Sequence, residues 1–447
     1  MLTSLRATLR LFSPNVRLFL FSAFLVGFGF DGGIFSVLFN LYLLRLGYGP
    51  EAVGAINSAG LFAFALFSLP AALFGNWWGV RRMILVGLGV LLLGAGLLPL
   101  AEMLGEMLGG GWQQVGLTGA YIVVFLGMSL YFVNSAPFMM ASTAPANRDH
   151  LFSMQTGLMA TAAFAGSLVG GALPALFAPM LGTTLDSPVP YRLPLLLAGL
   201  LIVPAILVLR RAENVAADDN EEEVADKDPR APAPAGKEPL PIGLFLLLLV
   251  VRILQVAGVA TVFVFFNVYL DTHLHTATST IGLISAAGRL IAVPVALLTP
   301  VFTRRFGNLN VVVWSCVIVT LGYLPMAFLP TVGAAAVGYI AIVGLSAMRY
   351  PATMNFSMRI VAPRQRGTLT GAGEMAAGIA FTSLALGGGY MITRLGYESL
   401  FLLTGALNIA GAVIFWWFFR DFRRKKSERT ATPVAPQAAK AMDSTPV

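Results

Sequence analysis

The sequence predicts an all-α integral membrane protein, with twelve transmembrane helices in two six-helix bundles related by a pseudo-two-fold axis along the membrane normal. Three observations predict it. Of 447 residues, 57% are hydrophobic and only 11% charged, with a mean hydropathy of +0.80. A soluble domain carries roughly 25% charged residues, so too little polar surface is present to cover a water-soluble particle of this size. Twelve apolar runs approach or exceed the about 20 residues that a spanning helix needs, and the second half of the chain repeats the first.

The first run covers 17–45. The stretch before it, "MLTSLRATLRLFSPNVR", has no convincing cleavage site, and the run itself is too long for a signal segment. Within it "LVGFGFDGGIF", Leu25–Phe35, matches the GxGxxG dinucleotide fingerprint. That motif needs a preceding strand and a water-exposed turn. Here it lies mid-span, so its glycines serve close packing or a local bend. Asp31 is about fourteen residues from the N-terminal end, ~21 Å along a helix and near the bilayer midplane. A carboxylate at that depth needs a wet cavity, a partner or a proton. Asp31 is therefore a candidate proton-coupling residue, the alternative being a structural partner of an arginine. Tyr42, eleven residues on, shares its face as a possible solute contact or an interfacial anchor.

The next runs are 51–76, 83–104, 115–141, 151–180 and 191–209. They are followed by "AENVAADDNEEEVADKDPRAPAPAGKEP", which is charged, Pro-rich and aperiodic. The second set is 241–270, 279–303, 310–329, 332–360, 368–394 and 397–420. The expected units are an N-terminal bundle over 1–211, a disordered linker over 212–239, a C-terminal bundle over 240–422 and a disordered tail over 423–447. With the N-terminus in the cytoplasm, Arg6, Arg10, Arg17, Arg81, Arg82, Arg148, Arg304, Arg305, Arg359, Arg364 and Arg366 fall inside, together with the basic residues of the linker and the basic cluster after the last span. Only Arg45, Arg192 and Arg394 fall outside. The positive-inside rule then places both termini in the cytoplasm, in a multi-pass protein of the plasma (inner) membrane.

The repeat keeps register across loops. "VGAINSAG" (Val53–Gly60) aligns with "IGLISAAG" (Ile281–Gly288) at a shift of 228, which also brings Gly79 onto Gly307. "FNLYL" (Phe39–Leu43) matches "FNVYL" (Phe266–Leu270), and "APANRDHL" (Ala144–Leu151) matches "APRQRGTL" (Ala362–Leu369) at a shift of 218. Two six-helix halves joined by a linker make a parallel repeat.

On these residues the chain resembles the major facilitator superfamily, in particular its drug/proton antiporters. The loop after the second helix, "FGNWWGVRR", resembles that family's G-x-x-x-D-R-x-G-R-R pattern. Asn76 stands where the Asp is expected and Trp77 where the Arg is, while Gly79, Arg81 and Arg82 fit. The sister loop "TRRFGN" has Arg304 in the Asp place, followed by Arg305 and Gly307. The "RG" of Arg366–Gly367 is also family-like. "AGSLVGG" (Ala165–Gly171) resembles the antiporter pattern GPxxGG with Ser167 replacing the proline. The resemblance implies a secondary transporter with these loops as gating elements, working as a monomer by alternating access.

Four further charges lie within spans: Arg252, Arg289, Arg349 and Glu374. Their first-half equivalents by the repeat shifts are Leu25, Leu61, Tyr131 and Thr156, and Asp31 maps near Gly258. Scaffold requirements recur in both halves, so charges that do not recur point to a site. Arginine offers a five-donor fork suited to carboxylate or phosphate. Arg252, Arg289 and Arg349 are candidate solute contacts, or internal partners of Asp31 and Glu374. Glu374 is a candidate second proton-coupling residue or a gate partner. Gln255, Asn57 and Asn134 are candidate polar lining, whereas Asn40 and Asn267 recur and suit helix–helix hydrogen bonds. His273 and His275 form an HxH without other ligands, and no nucleophile, nucleotide or metal motif is present. No cofactor, enzymatic activity or nucleic-acid partner is expected. The partners are a small organic solute, protons and the bilayer. The predicted function is proton-coupled export of that solute. The alternatives are transport of an organic anion or amphiphilic lipid held by the arginines, and a transporter-like sensor that binds without transporting.

Overall fold

The computed structural model describes residues 13–144, 147–213, 242–360 and 366–431. Residues 214–239 of the expected linker and most of the expected tail lie outside them, as do Arg6, Arg10 and Arg364. The described chain is helical: α1 Pro14–Gly29, α2 Ile34–Arg45, α3 Pro50–Trp78, α4 Val80–Leu108, α5 Gly110–Ala141, α6 Arg148–Met180, α7 Val189–Leu200, α8 Ile202–Leu209, α9 Ile242–Thr272, α10 Thr278–Phe306, α11 Asn308–Phe328, α12 Val332–Ile360 and α13 Arg366–Ala431. Among the described residues, eleven stretches are long and apolar enough to cross a membrane. The last, Gly371–Arg420, has 50 residues and is non-helical at Gly396 (φ 81°, ψ 171°). At 1.5 Å per residue it is far longer than one crossing requires, and each arm suffices for one.

Two boundaries differ from the sequence expectation. The first span breaks between Gly29 and Ile34. The last helix runs beyond the predicted span, to Ala431.

The loops carrying Gly79 and Gly307 are tight, with φ of 90° and 82°. Gly60 packs on the Tyr121 ring and Gly288 on the Tyr339 ring. Asn40 donates to the Val264 carbonyl on α9 (2.7 Å), and Asn267 donates back to the Val37 carbonyl on α2 (3.1 Å). Asn57 donates to Asn40 (2.8 Å), and Ser285 donates to Asn267 (3.4 Å). These groups satisfy one another where lipid offers no partners, which makes them helix–helix ties.

Successive crossings put the N-terminus and the loops at 79, 142–147 and 307 on one face, here the N-terminal face. On the far face the helices come close. A Cβ on Gly282 of α10 would lie 2.6 Å from the Gly171 Cα of α6, and a Cβ on Gly54 of α3 only 2.3 Å from the Ala385 carbonyl of α13. Only hydrogen-sized side chains permit such backbone approach.

Candidate functional site

The break in the first span builds one wall of the site. Gly32 has φ +82°, a conformation that other residues enter at a cost. The N–H groups of Phe30 and Asp31 both donate to the Val26 carbonyl (2.8 and 3.0 Å). The Gly32 N–H donates to Ser36 Oγ (3.0 Å), whose hydroxyl donates to the Phe30 carbonyl (2.6 Å). Ser167 Oγ donates to the Gly32 carbonyl (2.6 Å). Serines thus replace the ladder bonds that the break removes.

Asp31, held at this break, lines a cavity of ≈ 530 Å³. Gln155, Thr156 and Met159 of α6 add to it, as do Arg252 and Val256 of α9, Arg289 of α10, Ser346, Arg349 and Tyr350 of α12, and Phe381 of α13. Four of the five span charges singled out in the sequence therefore face one space. Counted along their helices, Arg252 and Arg349 lie ~15 Å from the N-terminal-face ends of α9 and α12, and Asp31 and Arg289 ~25 Å from theirs. The cavity is on the N-terminal side of the glycine contacts.

The charges differ in their partners. Arg252 Nη2 reaches Glu374 Oε1 at 3.2 Å, and its guanidinium lies 4.9 Å from the Tyr350 ring centroid. Tyr350 also donates to Glu374 (3.2 Å), whose side chain is 53% exposed. Glu374 is thus a mouth residue tied to Arg252, outside the cavity lining. The Arg289 guanidinium lies directly over Gly32, so close that a Cβ there would fall 2.2 Å from Cζ. Arg349, 5% exposed, has only neutral partners: Asn408 Oδ1 (2.8 Å), Ser346 Oγ (3.4 Å) and Cys316 Sγ (3.8 Å). Among the described residues no carboxylate comes within 4 Å of it.

Other candidates lie elsewhere. Gln255 is 1% exposed, and its Oε1 accepts from Thr353 (3.4 Å) behind the lining. Asn57 is occupied by Asn40 and by the Tyr121 hydroxyl (2.9 Å). Asn134 packs against Gly75 and donates to the Ala71 and Leu130 carbonyls. Tyr42 points away, donating to Glu102 of α4. At the helix ends flanking Gly79 and Gly307, Asn76, Arg82, Arg304 and Arg305 are exposed and Arg81 donates to the Arg210 carbonyl.

The sequence reading missed a far-face cluster. Glu102 binds both Tyr42 and Arg192, the latter at 2.5 Å. Arg45 makes a two-pronged pair with Asp271 (2.6 and 2.7 Å), donates to the Leu185 carbonyl (2.8 Å) and lies 5.3 Å from the Tyr191 ring centroid. Each acid sits at the end of a predicted run and reads as a loop residue; nothing in the spacing pairs it with a particular arginine. Among the described residues no group of three or more His, Cys, Asp or Glu could hold a metal.

The Major Facilitator Superfamily model matches residues 19–348 and, again, 248–444. The chain belongs to the Major Facilitator Superfamily. Solved structures with the same fold include the nucleoside transporter NupG (14% identity, 91% of this chain and 100% of that one, TM-score 0.68). A D-xylose–proton symporter is also similar (14%, 91% and 97%, TM-score 0.71). So is a bacterial homologue of the human lysosomal transporter Spinster in an inward-facing, occupied state (13%, 92% and 96%, TM-score 0.67). No curated sequence matches the chain. As a superfamily member, the protein is a multi-pass membrane protein of a kind that carries out secondary active transport rather than enzymatic catalysis.

Proposed function

We propose that the protein exports a small organic solute by alternating access, coupled to protons through Asp31. Two six-helix bundles, within 1–211 and 240–422, would rock about the pseudo-two-fold axis along the membrane normal. Both termini would be cytoplasmic, the membrane would be the plasma membrane and the working unit a monomer. One observation carries this: a cavity lined by charges from both halves lies next to far-face contacts that join the same halves. Such an arrangement suits a state open to the N-terminal face, and it supports a midplane site in a rocking cycle. Proton coupling is supported by Asp31, which lines the cavity without a cation within 4 Å among the described residues. Alternating solvent access changes the desolvation of such a carboxylate and hence its proton affinity. Glu374, tied to Arg252 and half exposed, suits a gate partner better than a second proton site.

The test uses proteoliposomes with a trapped pH dye, an imposed proton gradient, and panels of lipophilic cations and organic anions. Solute-triggered proton flux that Asp31→Asn abolishes is the expected result. Proton flux unchanged by Asp31→Asn would remove Asp31 as the carrier. Binding without flux of any solute would favour the sensor reading instead.

A further inference from the structure

We propose that the solute is a monoanionic organic amphiphile, an apolar body bearing one carboxylate, sulfonate or phosphodiester, and that Arg349 receives its charge. This rests on the transport reading of the cavity and names its substrate class. The three arginines look equivalent in the sequence, but their surroundings do not. Arg252 has its charge matched by Glu374 and its face covered by Tyr350. Arg289 lies against Gly32, next in the chain to Asp31, so one positive and one negative charge share that wall. At low dielectric such neighbours compensate each other beyond contact distance.

Arg349 is left over. It carries the guanidinium's positive charge, it is 5% exposed, and its three acceptors are all neutral. Five N–H donors against three acceptors leave donors open. The site is therefore short of one negative charge, which a bound monoanion would supply and which a dianion would exceed. A neutral analogue leaves the guanidinium uncompensated, and a cation adds to the excess. The rest of the lining is largely apolar, with Met159, Ala163, Val256, Val259, Val343 and Phe381, interrupted by Gln155, Thr156, Ser346 and Tyr350. The ≈ 530 Å³ volume suits a drug-sized body.

The probes are 2-naphthalenesulfonate, which stays ionised and carries no proton, its neutral sulfonamide, and 2-naphthylmethylammonium. Thermal unfolding of the full-length protein in lipid nanodiscs reads their binding. The sulfonate should raise the midpoint saturably and the other two should not. Arg349→Gln should weaken the sulfonate response by at least roughly tenfold, while Arg82→Gln, at an exposed position outside the cavity, retains it. Asn408→Asp guards against misfolding of the arginine variant: it places a carboxylate beside the guanidinium and should abolish the response by neutralising it. Equal responses to sulfonate and sulfonamide, a preference for the ammonium, or no response to any probe would overturn the monoanion class. A sulfonate response surviving both Arg349→Gln and Asn408→Asp would overturn Arg349 as its receptor. None of these outcomes bears on whether the protein transports, which the flux experiment decides separately.

Discussion

Replacing Asp271 by Asn should loosen the far face. The carboxylate takes two hydrogen bonds from Arg45, at 2.6 and 2.7 Å, with side-chain exposures of 8% for Asp271 and 19% for Arg45. Exposed pairs contribute roughly 0.2–1 kcal/mol, and breaking a fully buried pair costs about 3–5 kcal/mol. This pair lies between those limits. Asn keeps one of the two bonds, and Arg45 keeps the Leu185 carbonyl and the Tyr191 face, so we take about 1.5 kcal/mol after discounting for solvent screening. In the proposed cycle the pair exists only while the far face is closed. Its loss then shifts the ratio of far-open to far-closed molecules about tenfold, since 1.4 kcal/mol is one decade. Spin labels at Asp186→Cys and His275→Cys, two exposed far-face loop positions, in a Cys316→Ser background, would read that ratio as a long-distance population in a double electron–electron resonance experiment. A ratio that moves less than about twofold would mean that the backbone packing at Gly171 and Gly282 holds the far face shut and the ion pair adds nothing.

Three other outcomes are expected. Gly282→Val would set side-chain atoms against the Gly171 backbone, so the far face should stay ajar, and a Ser346→Cys reporter in the cavity should become reactive from that side. Asn40→Leu leaves one of the two Asn57 amide hydrogens without its acceptor and removes the side-chain donor to the helical Val264 carbonyl, and should destabilise by about 1–3 kcal/mol, read as a lower thermal midpoint with an intact far-UV spectrum. Glu374→Gln, at an exposed position, should cost well under about 1 kcal/mol of stability, while slowing or speeding flux if the Arg252 pair gates the mouth.

The spans, the repeat and the charge site were legible for separate reasons. Lipid imposes length and hydropathy, so the spans could be read directly, and the repeat survives where helices touch. Gly60 with Tyr121 and Gly288 with Tyr339 are the same contact made twice, at the two shifts visible in the sequence. Recurrence also sorted polar residues: Asn40 and Asn267 pack, whereas the non-recurring Asp31, Arg252, Arg289 and Arg349 line the cavity. Asn57 escaped that sorting because its counterpart is Ser285. The residue type changes, yet both bond to the recurring asparagine. Partners were not legible. Which way Tyr42 or Arg349 points depends on helix rotation, set by packing against neighbours rather than by spacing along one helix.

The broken first span shows how a chain with an internal sequence repeat acquires an asymmetric site. Asp31–Gly33 corresponds, by the shift of 227, to Gly258–Ala260, where α9 runs unbroken from Ile242 to Thr272. At the central position one half has Gly32 with φ +82° and the other has Val259, whose β-branched side chain disfavours that conformation. The N-terminal half could therefore turn out a carboxylate there, with Ser36 and Ser167 taking up the freed backbone groups. The C-terminal half kept a straight helix at the equivalent point, where the Gly258 carbonyl accepts from the Tyr323 hydroxyl instead. The missing side chain at position 32 also leaves the space that the Arg289 guanidinium fills. One glycine thus lets the helix break, positions the acid and admits the base from the opposite half, and Gly32→Ala would disturb all three together.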